Sequence, residues 1–180
     1  MVKIRSTTIV QAPIERCFSL TLSTEIHRAA TGDVPLNGVV AGLLGPGRTV
    51  TWKTPYLRMT FEPEILIDAW RPFTYYREVM VSGPLESWEH EYHFAPMNDG
   101  TRIRDEIRFT APMGRLGRLA ESLFLRRHLT ARLVQRNAFI KRVAESEDWH
   151  QYLDGQPEID LRVYQAAQRD PEPQGRVYAG

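Results

Sequence analysis

His90 and Asp105 are two residues with acid–base chemistry that stand among apolar neighbours on either side of one turn signal, Asn98-Asp99-Gly100. Alternating segments flank this turn. Because strand side chains point to opposite faces at every second residue, the pattern predicts a hairpin with two unlike sides. One side carries Trp88, His90, Tyr92 and Phe94 from the first segment and Ile103, Asp105, Ile107 and Phe109 from the second. We therefore expect a histidine and a carboxylate within an otherwise apolar surface, where they must pair or line a cavity.

Three roles are open to this pair. A carboxylate fixes the tautomer of an adjacent imidazole and strengthens it as a base, which is the arrangement of a general acid or base. The same groups can instead hydrogen-bond a ligand, or hold two strands together as a satisfied buried pair. Glu78 is a third candidate, because an inward carboxylate in a nonpolar cavity can stay protonated and donate to a ligand. It can equally lean toward solvent at the cavity mouth.

Other patterns of catalytic or metal-binding residues are weaker. His90 and His93 lie three positions apart, and on a strand this odd spacing sends them to opposite faces, so we expect no shared metal. A serine nucleophile would need a Gly-x-Ser-x-Gly turn, which the sequence lacks. The glycine-rich stretch at 42–47 does not have the spacing of a dinucleotide or phosphate loop. We expect neither a metal nor a cofactor.

Composition sets the broad class. A chain of 180 residues is most simply one domain, and 23 basic against 22 acidic residues predict no overall attraction to nucleic acid. The single cysteine, Cys17, excludes an internal disulfide, and its apolar surroundings predict a buried thiol. The N-terminus lacks a signal-type apolar region, and no apolar run approaches the length of a membrane span, so we expect a cytoplasmic location.

The order of elements follows from the changes in hydrophobic period. Residues 3–11 read as a strand, Pro13 opens a helix, and a second short helix follows Ser23 and ends before Gly32. Strands then succeed one another to residue 110, including a long one at 56–69 with Pro63 at an edge or bulge. Residues 115–145 are helical. Since no helix separates the strands, the sheet should be antiparallel and the domain α+β.

This order resembles the helix-grip fold of the START-like, or SRPBCC, superfamily, which includes the birch-pollen allergen, polyketide cyclases and coenzyme Q-binding proteins. The resemblance covers about residues 3–145. Its pieces are Ile9-Val10-Gln11-Ala12-Pro13-Ile14-Glu15, Gly83-Pro84 with Trp88-x-His90, Gly100-Thr101 with Asp105, Ala111-Pro112-Met113-Gly114 and Leu116-Gly117-Arg118-Leu119. The first piece is common across the superfamily, whereas the Trp-x-His and Asp positions are narrower and resemble a bacterial branch of it.

The resemblance implies a curved antiparallel sheet wrapped around the long C-terminal helix, with two short helices after the first strand. It assigns residues 1–146 to this domain and 147–180 to a C-terminal extension. It also implies a cavity between the sheet and the helix. The residues that should face it are Trp52, Tyr76, Glu78, Met80, Trp88, His90, Tyr92, Asp105 and Ile107.

Two functions follow as hypotheses. The first is an intracellular protein that binds or carries a hydrophobic small molecule, such as a lipid, isoprenoid or polyketide-like compound, because large aromatics with a few polar groups suit such a ligand. The second is a polyketide cyclase- or dehydratase-like enzyme that uses His90 with Asp105 and Glu78.

The final helix and the extension suggest further partners. Residues 115–145 hold eight basic and two acidic side chains, a balance of +6. This is a solvated face balanced by an acidic outer sheet, or a surface for transient contact with anionic lipid headgroups. Nucleic acid is not expected, since arginines and aromatics are not interleaved on one surface. A third hypothesis is an interaction module, in which the tail from Glu147 onward docks on a partner or on a second copy of the chain as a homodimer.

Overall fold

The computed structural model describes residues 1–56, 58–111 and 117–155. Strand β1 (Val2–Val10) leads into two short helices, α1 (Ile14–Leu22) and α2 (Thr24–Thr31). The next strands are β2 (Val34–Gly38), β3 (Thr49–Tyr56), β4 (Met59–Phe61), β5 (Glu64–Arg71), β6 (Tyr75–Ser82), β7 (Ser87–Met97) and β8 (Gly100–Thr110). Helix α3 (Gly117–Ala144), a 3-10 turn (Glu147–Trp149) and helix α4 (His150–Leu153) complete the described part.

All the described strands belong to one antiparallel sheet. Their order is β1-β8-β7-β6-β5-β3-β2, and β4 pairs with β3 beside this path. The sheet curves around α3, so the predicted α+β helix-grip architecture, with two short helices after the first strand, is confirmed. The resulting layers place the inner faces of β6, β7 and β8 opposite the helices.

One serine separates the two short helices. Ser23 ends α1, and its hydroxyl accepts a hydrogen bond from the backbone N–H of Ile26, which caps the start of α2. Gly32 ends α2 in the left-handed conformation with φ of 78°, where glycine is favoured. The predicted bounds of α2 are therefore confirmed, and the sharp turn between the helices holds both against the sheet.

The predicted long strand at 56–69 is wrong. Two strands, β4 and β5, occupy this segment, and Pro63 lies between them. A proline has no N–H for a sheet ladder, so the strand ends there, although the carbonyl of Pro63 still accepts from the N–H of Trp52 at 3.0 Å. Leu57 lies outside the described residues, as do the motif residues 112–116.

The main core lies under α1. Phe18 is fully buried and makes edge-on contacts with the rings of Trp70, Phe73, Tyr76 and Phe94. Cys17 is also fully buried, as predicted, and burial raises the pKa of its thiol.

The start of the predicted extension packs on this same core through Trp149, Tyr152 and Leu153. The division at residue 146 stays a prediction, because most of the extension, 156–180, lies outside the described residues.

Helix α3 uses several of its basic side chains in contacts with the rest of the molecule. Arg132 pairs with Asp33 at 2.6 Å, Arg136 is buried, and the ammonium of Lys141 donates to the backbone carbonyl of Ile9. The sequence balance of +6 therefore overstates the charge that this helix presents to solvent. Among the described residues, no helix combines the length and apolar character that a bilayer crossing requires.

The outer face of the sheet carries an ion-pair network centred on Glu106. Its carboxylate accepts from Lys3 at 2.9 Å, from Arg5 at 2.7 Å and from Arg108 at 2.7 Å. Arg108 continues the network to Glu89 and Glu91. Hydrogen bonds from Lys3, Arg5 and Arg108 lower the pKa of Glu106 to about 2. The acidic outer sheet expected from the sequence is thus neutralised by basic residues of the same sheet.

Glu106→Gln should give a pH-dependent loss of stability. Because the pKa of Glu106 is lowered on folding, its contribution is present above the ordinary pKa of 4.5 and is lost as the pH falls toward about 2. Urea unfolding of the original chain and of Glu106→Gln should show the full difference in unfolding free energy at neutral pH. The difference should shrink below about pH 5. Glu62→Gln is the control at an exposed glutamate. An equal difference for Glu106→Gln at all pH values would contradict the network's role.

Candidate functional site

The hairpin of β7 and β8 brings His90 and Asp105 together. His90 lies opposite Ile107 and Tyr92 opposite Asp105, so the two polar residues are diagonal neighbours on the inner face. The Nε2 atom of His90 is 3.0 Å from Oδ1 of Asp105. The other oxygen, Oδ2, accepts from Nδ2 of Asn137 on α3 at 2.7 Å. The carboxylate thus has a partner on each oxygen and is fully buried.

Glu78 joins this pair from the neighbouring strand. It lies opposite His90 on β6, and its Oε2 accepts from the hydroxyl of Tyr92 at 3.1 Å. The same oxygen is 3.9 Å from Nδ1 of His90, which is too long for a direct hydrogen bond. The structure therefore brings together the three predicted acid–base groups, with a gap between Glu78 and His90.

A cavity of about 210 Å³ lies between the inner face of the sheet and helices α2 and α3. Its predicted lining residues are Trp52, Glu78, Met80, Trp88, His90, Tyr92 and Ile107. Apolar residues that sequence reasoning did not single out complete much of the wall, namely Leu44, Ile65, Leu85, Leu125, Leu129 and Leu133. The result is a mostly apolar space with polar groups concentrated among a few residues.

Tyr76 and Asp105, also expected to face the cavity, lie one layer behind its wall. Tyr76 is fully buried, stacks on Tyr92 at 4.2 Å between ring centroids and donates to the carbonyl of Thr21 at 3.3 Å. Asp105 is covered by its contacts with His90 and Asn137. Any effect of Tyr76 or Asp105 on a bound molecule would therefore be exerted through Tyr92 or His90.

A second polar group, which sequence reasoning missed, also lines the cavity and is formed by His27, Asp33 and Arg132. Oδ2 of Asp33 accepts from Nη2 of Arg132 at 2.6 Å and lies 3.1 Å from Nε2 of His27. The His27 ring stacks on Trp52 with 4.1 Å between centroids. Burial lowers the pKa of His27. This group is a second histidine–carboxylate pair in the same cavity.

Arg136 on α3 is a buried cation that borders the cavity. Its Nη2 donates to the carbonyl of Thr21 at 2.6 Å, and its guanidinium lies 5.3 Å from the ring centre of Tyr92. Burial acts to lower the pKa of Arg136, but the acidic groups around it, led by Tyr92, raise it overall. Its Nε and Nη1 atoms are buried without a hydrogen-bond partner in the described structure. Arg136 is therefore a fixed positive charge beside the polar groups.

Arg136 was detectable in the sequence, since it lies three residues after Leu133 and four before Ile140, within the apolar stripe of α3. A charged residue in such a stripe is the same kind of misfit that drew attention to His90. The sequence gives less indication of a role for His27, because the eight residues of α2 are too few to show which of its faces is apolar.

The two histidines of β7 face opposite ways, as the alternation predicted. His93 lies on the outer face, where its ring is 4.9 Å from that of Tyr75 and its Nε2 is 3.7 Å from Glu91. Within the described residues, no group of three histidine, cysteine, aspartate or glutamate side chains is arranged to hold a metal.

Several solved structures share this arrangement of strands and helices. TTHA0849 from Thermus thermophilus superimposes with a TM-score of 0.60 at 16% identity, covering 79% of this chain and 99% of that one. Ara h 8.0201 does so with a TM-score of 0.56 at 15% identity, covering 77% and 97%. The chain has the START-like helix-grip fold. The resemblance seen in the sequence is therefore confirmed at the level of the fold.

A third START-like structure is larger than this chain. The di-domain ARO/CYC protein StfQ from the steffimycin biosynthetic pathway matches with a TM-score of 0.65 at 13% identity, covering 82% of this chain and 52% of StfQ. No family model and no curated protein matches the sequence. The superpositions establish the shared fold, and at identities this low they show nothing of the function.

Asp105→Ala should lower the free energy of unfolding by about 3 kcal/mol, because it leaves His90 and Asn137 without their buried partner. Chemical denaturation measures this loss. Asp68→Ala removes a carboxylate that pairs with Arg77 on the outside of the sheet, and it should cost less than about 1 kcal/mol. Equal losses for the two variants would contradict a structural role for the buried contacts.

Proposed function

We propose that this START-like chain binds a compact, mostly apolar small molecule in the cavity between the sheet and α3, and sequesters or carries it. The observation that supports this is the cavity itself, about 210 Å³, with leucines and aromatic rings on its wall and a few polar groups among them. Such a lining favours an apolar body with one polar end.

The volume narrows the ligand class. Pockets for drug-sized ligands measure roughly 300–1,000 Å³, so this cavity suits a smaller molecule. Among the expected classes, a small isoprenoid or an aromatic polyketide-like ring fits it better than a long acyl chain. The rings of Trp52, Trp88 and Tyr92 offer flat surfaces for such a ring.

Filling the cavity should abolish binding. Leu129→Trp places a large side chain into the lining from α3, whereas Val134→Trp adds the same side chain at a position of α3 that is 56% exposed. Titration with 2-methylnaphthalene, monitored by isothermal titration calorimetry, should show saturable binding for the original chain and for Val134→Trp. It should fail for Leu129→Trp.

Native mass spectrometry of the purified protein and of its solvent extract provides the complementary measurement. A co-purifying molecule would identify the ligand directly. The absence of both a co-purifying molecule and saturable binding of an apolar probe would count decisively against the proposal.

A second function, a cyclase- or dehydratase-like enzyme, is favoured by one observation, the gap of 3.9 Å between Nδ1 of His90 and Glu78. With Nε2 directed at Asp105, His90 presents Nδ1 toward that gap, where a substrate oxygen or a water can bridge the two groups. Asp105 is then the residue that orients the imidazole. The ARO/CYC proteins StfQ and BexL, each from a biosynthetic pathway, show that the fold occurs in such settings.

If His90 is a general acid or base, the chain should accelerate cyclisation of a linear poly-β-keto thioester over buffer. His90→Gln should then lower the rate roughly 10²-fold and leave 2-methylnaphthalene binding intact. His93→Gln, on the outer face of the same strand, is the matched control. Product is measured by chromatography, and a rate no higher than that in buffer would exclude this reaction.

Membrane-surface contact, a homodimer and a cytoplasmic location stay predictions. The basic side chains on the described part of α3 that are exposed, and so could contact lipid headgroups, are Arg126, Arg127 and Arg142.

A further inference from the structure

The group formed by His27, Asp33 and Arg132 is separate from the acid–base group formed by His90, Glu78 and Asp105. It lies on α2, on the loop after α2 and on α3, whereas His90, Glu78 and Asp105 lie on the sheet. Both groups border the same cavity. The cavity therefore has a second polar wall with a chemistry of its own.

The hydrogen bonds of Asp33 fix the tautomer of His27. Oδ2 of Asp33 already accepts a hydrogen bond from the guanidinium of Arg132 at 2.6 Å, so this oxygen acts as an acceptor. The contact of 3.1 Å with Nε2 of His27 therefore requires that Nε2 carry the hydrogen. The remaining nitrogen, Nδ1, is then an unprotonated acceptor. Arg132 acts as a positioning residue, because it holds the carboxylate that orients the imidazole.

Nδ1 of His27 is an accessible acceptor on a residue that lines the cavity. It makes no hydrogen bond within the described structure and is absent from the nitrogen and oxygen atoms that those residues seal off without a partner. The side chain keeps 25% of its surface exposed, and the residue lines the cavity. One face of the ring is covered by Trp52. The open acceptor is thus presented at a fixed angle beside an aromatic surface.

Burial, helped by the charge of Arg136, keeps the imidazole of His27 neutral. Burial lowers its pKa, Arg136 lowers it further, and Asp33 and Glu78 act in the opposite direction. The net direction is downward, so the neutral form dominates at neutral pH. Because Arg132 pairs with Asp33, it does not occupy Nδ1 of His27.

We propose that His27 is a ligand-binding residue that accepts a hydrogen bond from a hydroxyl group on an aromatic ligand. The inference rests on the proposed binding function and adds the position and the polarity of one ligand group. The ring of the ligand lies against the aromatic wall, and its O–H points to Nδ1. Arg136 lines the same cavity as a buried cation.

A matched pair of probes tests this assignment, since 2-naphthol carries a hydroxyl where 2-methylnaphthalene carries a methyl group of similar size. Calorimetry gives the ratio of their affinities for the original chain, for His27→Phe and for His93→Phe. Phenylalanine keeps a ring against Trp52 and removes the acceptor. We expect the preference for 2-naphthol to fall roughly three- to tenfold in His27→Phe and to stay unchanged in His93→Phe.

The outcomes separate this inference from the proposed function. If His27→Phe binds both probes with the original ratio, His27 is not the acceptor and the binding function stands. If the original chain binds neither probe, the binding function fails and the assignment of His27 fails with it.

A measurement on the unaltered chain covers the case in which His27→Phe does not fold. In protein labelled with ¹⁵N-histidine, the Nδ1 resonance of His27 should move on addition of 2-naphthol. It should stay in place with 2-methylnaphthalene. A Nδ1 resonance that does not respond to bound 2-naphthol would overturn the proposal.

Discussion

The buried carboxylate of Asp105 is the contact on which the arrangement of the cavity depends. One oxygen accepts from His90 on the sheet and the other from Asn137 on α3, so a single side chain joins the two layers by hydrogen bonds. Burying a carboxylate is costly unless its oxygens accept hydrogen bonds, and both oxygens of Asp105 do so. The requirement fixes how α3 lies over the hairpin of β7 and β8. Space remains beside this junction because Leu129 and Leu133 line a cavity rather than fill it.

Polar groups reach the cavity from two separate supports. The sheet supplies Glu78 and His90, held by strand register, while the short helix α2 and the loop after it supply His27 and Asp33. Arg136 lies near both and is itself fixed by the carbonyl of Thr21. His90 is held by Asp105 behind the cavity wall, Glu78 by the hydroxyl of Tyr92, and His27 by Asp33. These side chains are therefore positioned by contacts within the protein itself.

Much of this fold was predictable because the alternation of strand residues and the residues that begin or end a helix are local features of the sequence. The Asn98-Asp99-Gly100 turn fixed the register of β7 and β8, and that register alone made His90 and Asp105 neighbours. Pro63 can be read from the sequence as an interruption of the strand. Whether it bends the strand or ends it depends on whether a neighbouring strand would pair with the N–H that proline lacks, and this pairing cannot be read from the sequence. Arg136 was detectable as a misfit in an apolar stripe. The pairing of His27 with Asp33 and Arg132 was not, since it joins elements 99 residues apart through long side chains.

Because Cys17 is buried, its reaction with a thiol reagent measures how often the core becomes exposed. Cys17 is the single thiol of the chain, and it is fully buried on α1, next to Phe18 in the sequence. A thiol-reactive dye can reach it only when that helix lifts from the sheet, so the labelling rate follows local or global unfolding without any engineered probe. Since α1 also contributes Thr21 and Leu22 to the cavity wall, the same rate should report whether occupancy of the cavity slows the breathing of this wall.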